Sequence, residues 1–73
     1  MLKELETIVL TKDLTAHGLK KGDIGTIVHT HTRGGYEVEF VTLGGETLAV
    51  VSLGDSDIRT TARREIPHAR AVA

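Results

Sequence analysis

Two histidines two residues apart, His29 and His31, are the side chains whose type and spacing most directly suggest chemistry. Alternate residues of a β-strand point to the same side of the sheet, so both imidazoles would share one face. Zinc binds imidazole nitrogen but needs three or four protein donors, and the chain has no cysteine to add. Glu37, across the next turn, is a possible third donor. We predict no bound metal and keep His29 and His31 as metal-binding candidates; the alternative is an exposed pair facing an acidic strand.

Nucleophilic chemistry has few candidate residues in this chain. The candidates are Ser52 and Ser56, and a serine nucleophile needs a base beside it. Ser56 lies in "GDSD", which has no histidine next to it and is typical of a turn. Glu37 and Glu39 alternate on one strand face, but a small barrel is filled by its own side chains and leaves no cleft for an acid–base pair. We therefore predict no catalytic residues, no cofactor and no enzyme activity.

The charge balance argues against nucleic acid as the partner. The chain carries 9 basic and 10 acidic residues, whereas nucleic-acid binders usually have a basic excess that neutralises phosphates. Tyr36 and Phe40 are too few aromatic rings for a base-stacking platform. A weak nucleic-acid-binding barrel that uses Lys20, Lys21, Arg33 and the C-terminal arginines is one alternative hypothesis; metal binding at the histidine pair is the other.

Composition also bears on location. The opening "MLKELETIVL" has no apolar run of signal-peptide length, and no stretch approaches the roughly 20 apolar residues that span a bilayer. A chain without cysteine fits a reducing compartment. We expect a cytoplasmic protein with no membrane association.

Short β-branched and alternating runs, separated by glycine-rich turns, predict an all-β domain. Between the first two runs lies a polar loop, 11–22, with Leu14 and Leu19 as its apolar anchors. "RGG" and "LGGE" are the predicted hairpin turns. The predicted strands are 7–10, 24–32, 36–42, 47–53 and 58–60.

Alternation predicts which side chains face inward. "YEVEF" (36–40) places Tyr36, Val38 and Phe40 on one face. Gly25 lies inside the second strand, where glycine marks a bulge or a close backbone approach. A bulge would turn Ile24 and Ile27 inward; without one, Ile24 and Val28 would face the core. The predicted core is Ile24, Val28, Val38, Phe40, Leu48, Val50 and Leu53.

The run "LAVV" (48–51) is apolar on both strand faces. We expect an outward Ala49 or Val51, with Val41 nearby, to form a dimer patch or to pack under the C-terminal tail. The chain is predicted to divide into a domain at 1–61 and a flexible or partly helical tail at 62–73, interrupted near Pro67.

Three stretches carry a resemblance to a known family: "GLKKGDIGTIV", "YEVEF" and "GETLAVVSL". Together they resemble a family of small bacterial proteins classed as domain of unknown function 4926, over Leu5 to about Arg59. The resemblance implies an SH3-like barrel and carries no established activity. The residues themselves fit the same fold, an SH3-like small barrel of about five short antiparallel strands with a mobile C-terminal tail.

A non-catalytic protein-interaction module is the function that these exclusions favour. It would be accessory to the product of a neighbouring gene, or it would self-associate. A basic loop and a basic tail are the surfaces that an acidic partner could meet. The partner-binding candidates are Lys12, Lys20, Lys21, Arg63 and Arg64.

Overall fold

The computed structural model describes residues 2–72 as five strands and two short 3₁₀ turns. Met1 and Ala73, the first residue of the predicted domain and the last of the predicted tail, lie outside the described residues. The 3₁₀ turns are Thr15–His17 and Asp55–Asp57. The strands are β1 (Thr7–Leu10), β2 (Ile24–Thr30), β3 (Tyr36–Val41), β4 (Thr47–Leu53) and β5 (Ile58–Thr60).

All five strands form one antiparallel sheet in the order β4-β3-β2-β1-β5. This confirms the all-β prediction, and the arrangement is consistent with a small barrel-like fold. Three strands have the predicted bounds, whereas β2 ends at Thr30 and β3 at Val41, before the predicted ends. None of the helical turns within residues 2–72 is long or apolar enough to cross a membrane.

The core lies on the inner face of the sheet and contains only apolar side chains and one tyrosine. Val38, Phe40 and Leu53 are buried as predicted. Within residues 2–72 no polar or charged side chain other than that tyrosine is buried. The buried residues are Ile8, Val9, Leu10, Leu19, Ile27, Tyr36, Val38, Phe40, Leu53 and Ile58.

The prediction that Ile24 and Val28 of β2 belong to the core is wrong: Ile24 is 42% exposed and Val28 is 39% exposed. The register between β2 and β3 shifts after Ile27, and Val28 is the extra residue of the bulge. Ile27 therefore faces inward, while Val28 and His29 lie outside the core. The bulge exists, but three residues beyond Gly25.

Gly25 is buried because two core side chains approach its backbone closely. A Cβ atom at this position would lie 2.7 Å from Val38 Cγ1 and 2.8 Å from Phe40 Cε2. Such distances are inside van der Waals contact, so only glycine fits without a shift of its neighbours. The close-approach interpretation of this glycine is the correct one.

The inward face of β4 is the opposite of the predicted one. Leu48 is 40% exposed and Val50 is 53% exposed, whereas Ala49 and Val51 pack against the core. Ala49 is the cross-strand partner of Phe40, and cross-strand partners share a face. The run is apolar on both sides, so its own pattern does not set the face. The predicted dimer patch at Ala49 and Val51 is therefore wrong.

The loop before β2 is anchored as predicted. Leu14 and Leu19 pair through an isolated β-bridge, and Leu19 is buried in the core. Gly18 has a φ of 69°, a left-handed conformation that glycine adopts without steric cost. The Asp13 carboxylate accepts a 2.8 Å hydrogen bond from the Lys21 backbone N–H. One buried leucine and these hydrogen bonds therefore fix the loop at one end of the sheet.

Candidate interaction surface

The histidine pair lies on the outer surface and contacts acidic side chains. The distance from His31 Nε2 to Glu37 Oε2 is 2.7 Å, and His29 Nδ1 lies 3.6 Å from Glu4 Oε2. The two imidazole rings meet edge to face, 5.3 Å between centroids. Within residues 2–72, no three or more His, Asp or Glu side chains are arranged to hold a metal ion. Metal binding at His29 and His31 therefore stays an alternative hypothesis that the structure does not test.

Ser52 also contacts the carboxylate of Glu37: its Oγ donates a hydrogen bond to Glu37 Oε2. In a catalytic relay the imidazole lies between the serine and the acid. Here the carboxylate of Glu37 lies between Ser52 and His31, so the imidazole is not placed to take the serine proton. The hydrogen bonds from Ser52 and then His31 lower the pKa of Glu37. This arrangement is a cross-strand surface network.

The "GDSD" stretch forms the predicted turn, and its second aspartate, Asp57, accepts a backbone hydrogen bond and pairs with a lysine. The Gly54 backbone N–H donates to Asp57 Oδ2 at 3.0 Å. Lys12 Nζ lies 2.8 Å from Asp57 Oδ1, and this contact is the main reason that the pKa of Asp57 is lowered. Lys12, a predicted partner-binding residue, thus pairs within the chain.

The other four partner-binding candidates are exposed in two separate turns. Lys20 and Lys21 lie in the turn before β2, and Arg63 and Arg64 lie in the turn after β5. Their roles in partner or weak nucleic-acid binding stay predictions.

Arg70 is the functional candidate that the sequence did not single out. Its Nε donates to Asp23 Oδ1 at 2.8 Å and its Nη2 to Asp23 Oδ2 at 2.5 Å. The same Nη2 donates to the Gly18 carbonyl oxygen at 3.0 Å. This fork-to-fork pairing is the main reason that the pKa of Asp23 is lowered. It fastens the end of the chain to the loop before β2.

Residues 67–72, which we call the Arg70 segment, cross a groove at one end of the sheet. The segment has no helix or strand. The segment lines an open cleft of about 630 Å³, together with the loop before β2 and the β3–β4 hairpin. Besides Asp23, the main lining residues of this Arg70 groove are Leu19, Ile24, Phe40, Val41, Leu43 and Leu48.

The Arg70 segment does not fill its groove. A second cavity of about 270 Å³ lies between the segment and His17, Gly18 and Leu48. Val72 is 39% exposed, although it lines both cavities. The segment is therefore held by one charged side chain and a partly covered aliphatic one, not by close packing.

Residues 61–66, which we call the hinge segment, connect β5 to the Arg70 segment and are all exposed. Arg59 donates two hydrogen bonds to the carboxylate of Glu65, at 2.9 and 2.6 Å. The Ala62 backbone N–H donates to the same carboxylate at 2.6 Å. These contacts, Arg59 foremost, lower the pKa of Glu65 to about 2. Together they fold the hinge segment into a turn.

These features define a small antiparallel β domain in which residues 67–72 cross a groove at one end of the sheet. The chain belongs to the family Domain of unknown function (DUF4926), whose model matches residues 4–60. The match confirms the resemblance seen in the sequence. It includes Asp23 and the strands that border the groove, whereas Arg70 lies beyond it. No curated protein and no solved structure matches the chain.

Proposed function

We propose that this chain is a non-catalytic protein-interaction module whose Arg70 groove binds an extended, arginine-bearing segment of a partner protein. One observation carries the proposal: a segment without regular structure is held on the surface through a guanidinium–carboxylate pair. Recognition of side chains on an extended backbone is what a peptide-binding groove does. The partner in this proposal is either the product of a neighbouring gene or a second copy of this chain.

The chemistry of the groove supports an arginine as the ligand. Both oxygens of Asp23 face the guanidinium, and the Gly18 carbonyl accepts a further N–H. Arginine presents its donors in a planar fork that matches this geometry, whereas lysine is a point charge. The Asp23 side chain is 18% exposed, so its charge is partly shielded from water.

The walls of the groove support an aliphatic side chain two positions after the arginine. Val72 occupies that position in the chain's own segment. Val41 remains 46% exposed and Leu48 40% exposed while the segment is in place. A ligand longer than residues 67–72 would remove more of this apolar surface from water, which favours binding.

We also propose a cytoplasmic location in a bacterial cell. A chain without cysteine requires no oxidising compartment for its folding.

A peptide titration tests the proposed function. The protein is the full chain with Arg70→Ala, which vacates the carboxylate, and the ligand is a synthetic peptide with the sequence of residues 66–73. We expect saturable NMR shifts at Asp23, Ile24 and Leu48, because these residues line the groove. The matched control peptide carries alanine at the arginine position and should bind at least about tenfold more weakly.

Two results would overturn the proposal. One is the absence of saturable shifts in an Arg70→Ala chain whose NMR spectrum shows it to be folded. The other is equal affinity for the arginine and alanine peptides, which would mean that Asp23 takes no part in recognition.

A further inference from the structure

We propose that the Arg70 groove receives the Arg70 segment of a second copy of this chain, so that two chains exchange residues 67–72. This inference rests on the proposed function and names its partner. The exchange would be reciprocal, because every copy carries both a groove and a segment. Reciprocal exchange of one element gives a closed dimer with two-fold symmetry.

The first support is chemical self-complementarity. Arg70 contacts Asp23 and Gly18, residues 47 and 52 positions earlier in the chain. The same three groups meet whether Arg70 comes from one chain or from another. Exchange therefore keeps every contact of the segment and adds only the cost of bringing two chains together.

The second support is the hinge segment. Residues 61–66 are all exposed, so straightening them uncovers no core residue. Fully extended, six residues reach about 20 Å. The molecule measures 21 Å across its shortest axis, so this reach delivers the Arg70 segment only to a copy in direct contact. Exchange thus requires that the two domains touch.

The third support is the apolar surface beside the groove. Val50 is 53% exposed on the edge strand β4, next in alternation to Leu48, which is 40% exposed. A touching second domain would remove both side chains from water. An uncovered aliphatic edge strand is a surface at which chains pair readily. The groove and this edge would therefore belong to one continuous contact between copies.

A pair of charge reversals tests the exchange. In the Asp23→Arg variant the groove repels its own Arg70 segment, and in the Arg70→Asp variant the segment is repelled by its own groove. Each variant alone should be a monomer. An equal mixture restores both opposite-charge pairs, but only between unlike chains, and should form a heterodimer. Light scattering and native mass spectrometry would show a mass twice that of the chain.

The chain concentration should be about 1 mM, the range of effective concentrations that a short linker provides within one chain. The matched control is one chain that carries both Asp23→Arg and Arg70→Asp. It restores the opposite-charge pair in reversed order, without the hydrogen bonds to Gly18 and from Lys20, and should again show a dimer fraction that rises with concentration.

A hinge variant adds a second readout. Glu65→Ala removes the contacts that hold the hinge turn and should raise the dimer fraction severalfold. Thr61→Ala alters an exposed residue of the same hinge segment and is the matched control, with no change expected. A Glu65→Ala chain with the dimer fraction of wild type would count against a hinge at this position.

The exchange is overturned if the charge-reversed mixture stays monomeric while both chains give folded NMR spectra. That outcome leaves the peptide titration to decide the proposed function, so the two failures are distinguishable. A dimer that forms equally from either variant alone would also overturn it, because the Asp23–Arg70 pair would then be irrelevant to association.

Discussion

The inner face of the sheet and the Arg70 groove are held together by different forces. On the inner face, Ile27 and Val38 are 0% exposed and Phe40 is 2% exposed. In the groove, the contact depends on a charged pair, Asp23 and Arg70, whose side chains are 18% and 29% exposed. The inner face gains its free energy from apolar burial, and the groove from directional hydrogen bonds near water.

This difference separates the residues that stabilise the sheet from those that we propose to bind a partner. Loss of an inner-face contact leaves a cavity that the surrounding side chains do not refill. Loss of a groove contact exposes groups that water can solvate. The groove can therefore open while the sheet stays folded, and each prediction below compares the two regions.

The largest effect is expected for Phe40→Ala. Phe40 is buried in the core and also lines the groove from below. Its removal should lower the free energy of unfolding by ~3–5 kcal/mol, measured by urea denaturation. Leu43, which is 96% exposed at the mouth of the groove, supplies the control. Leu43→Ala should change the free energy by less than about 0.5 kcal/mol. Similar losses in the two variants would contradict a division between core and groove.

Gly25→Ala should come next, with a loss of ~1–3 kcal/mol, because the new methyl group must displace core side chains. The space it needs is held by Val38 Cγ1 and Phe40 Cε2, 2.7 and 2.8 Å away. Combining Gly25→Ala with Phe40→Leu tests the cause in a double-mutant cycle. Gly25→Ala should lower the free energy of unfolding less in a Phe40→Leu chain than in the wild type, because the smaller side chain leaves room for the new methyl group. If the losses in free energy of unfolding of the two single variants simply add in the double variant, a clash with Phe40 is not the cause of the Gly25→Ala loss.

Asp23→Asn should have a smaller effect on global stability, about 1 kcal/mol or less, because the ion pair is close to water. Its effect on the Arg70 segment should be large. Hydrogen exchange at the Arg70 Nε–H, which donates to Asp23 Oδ1, should accelerate, while backbone amide exchange in β3 stays unchanged. Glu46→Gln, at an exposed carboxylate of the β3–β4 hairpin, should change neither. Faster exchange in β3 as well would show that groove and core open as one unit.

The smallest effect is expected on acidification. The pKa of Asp23 is lowered in the folded chain, chiefly by Arg70, so its contribution is complete above the unfolded pKa of about 4 and is lost as the pH falls through the folded value. The hold on the Arg70 segment should therefore begin to weaken below about pH 4 and be lost as the pH falls through the lowered pKa of Asp23, while the sheet persists. The Arg70 Nε–H signal reports the detachment. In Asp23→Asn that signal should show no transition in this window.

Acid should act later on the hinge segment. The pKa of Glu65 is about 2, so its pairing with Arg59 should survive until the pH approaches that value. A hinge turn that opens well above this pH, as judged from the Ala62 amide signal, would contradict the assigned role of Glu65.

Alternation explains which parts of the fold the sequence predicts. Glu37 and Glu39 separate the inward residues of β3, so the pattern identifies the buried face. No such contrast exists between Leu48 and Val51, and the face of β4 follows from its pairing with β3. The bulge at Val28 likewise depends on cross-strand register. These features require knowledge of a neighbouring strand.

The candidate site was predictable only where it is local. The contact between His31 and Glu37 spans one short hairpin, and strand alternation anticipates it. The pairing of Asp23 with Arg70 joins residues 47 positions apart, and no spacing rule connects them. The residues next to an arginine in a polar tail do not indicate which residue it will contact. A charge pair between residues so far apart in the chain can be identified only from the folded structure, which places the two side chains side by side.

The Asp23 carboxylate has a further contact, and it bears on the free-energy cost of binding in the proposed groove. The Lys20 backbone N–H donates to Asp23 Oδ2 at 2.8 Å, a bond that belongs to the turn before β2 and does not involve Arg70. The carboxylate is thus oriented by the folded turn before any guanidinium arrives. The loss of rotamer freedom at Asp23 is incurred during folding, not during binding. The groove is preorganised, and an incoming segment has only its own backbone and side chains left to order.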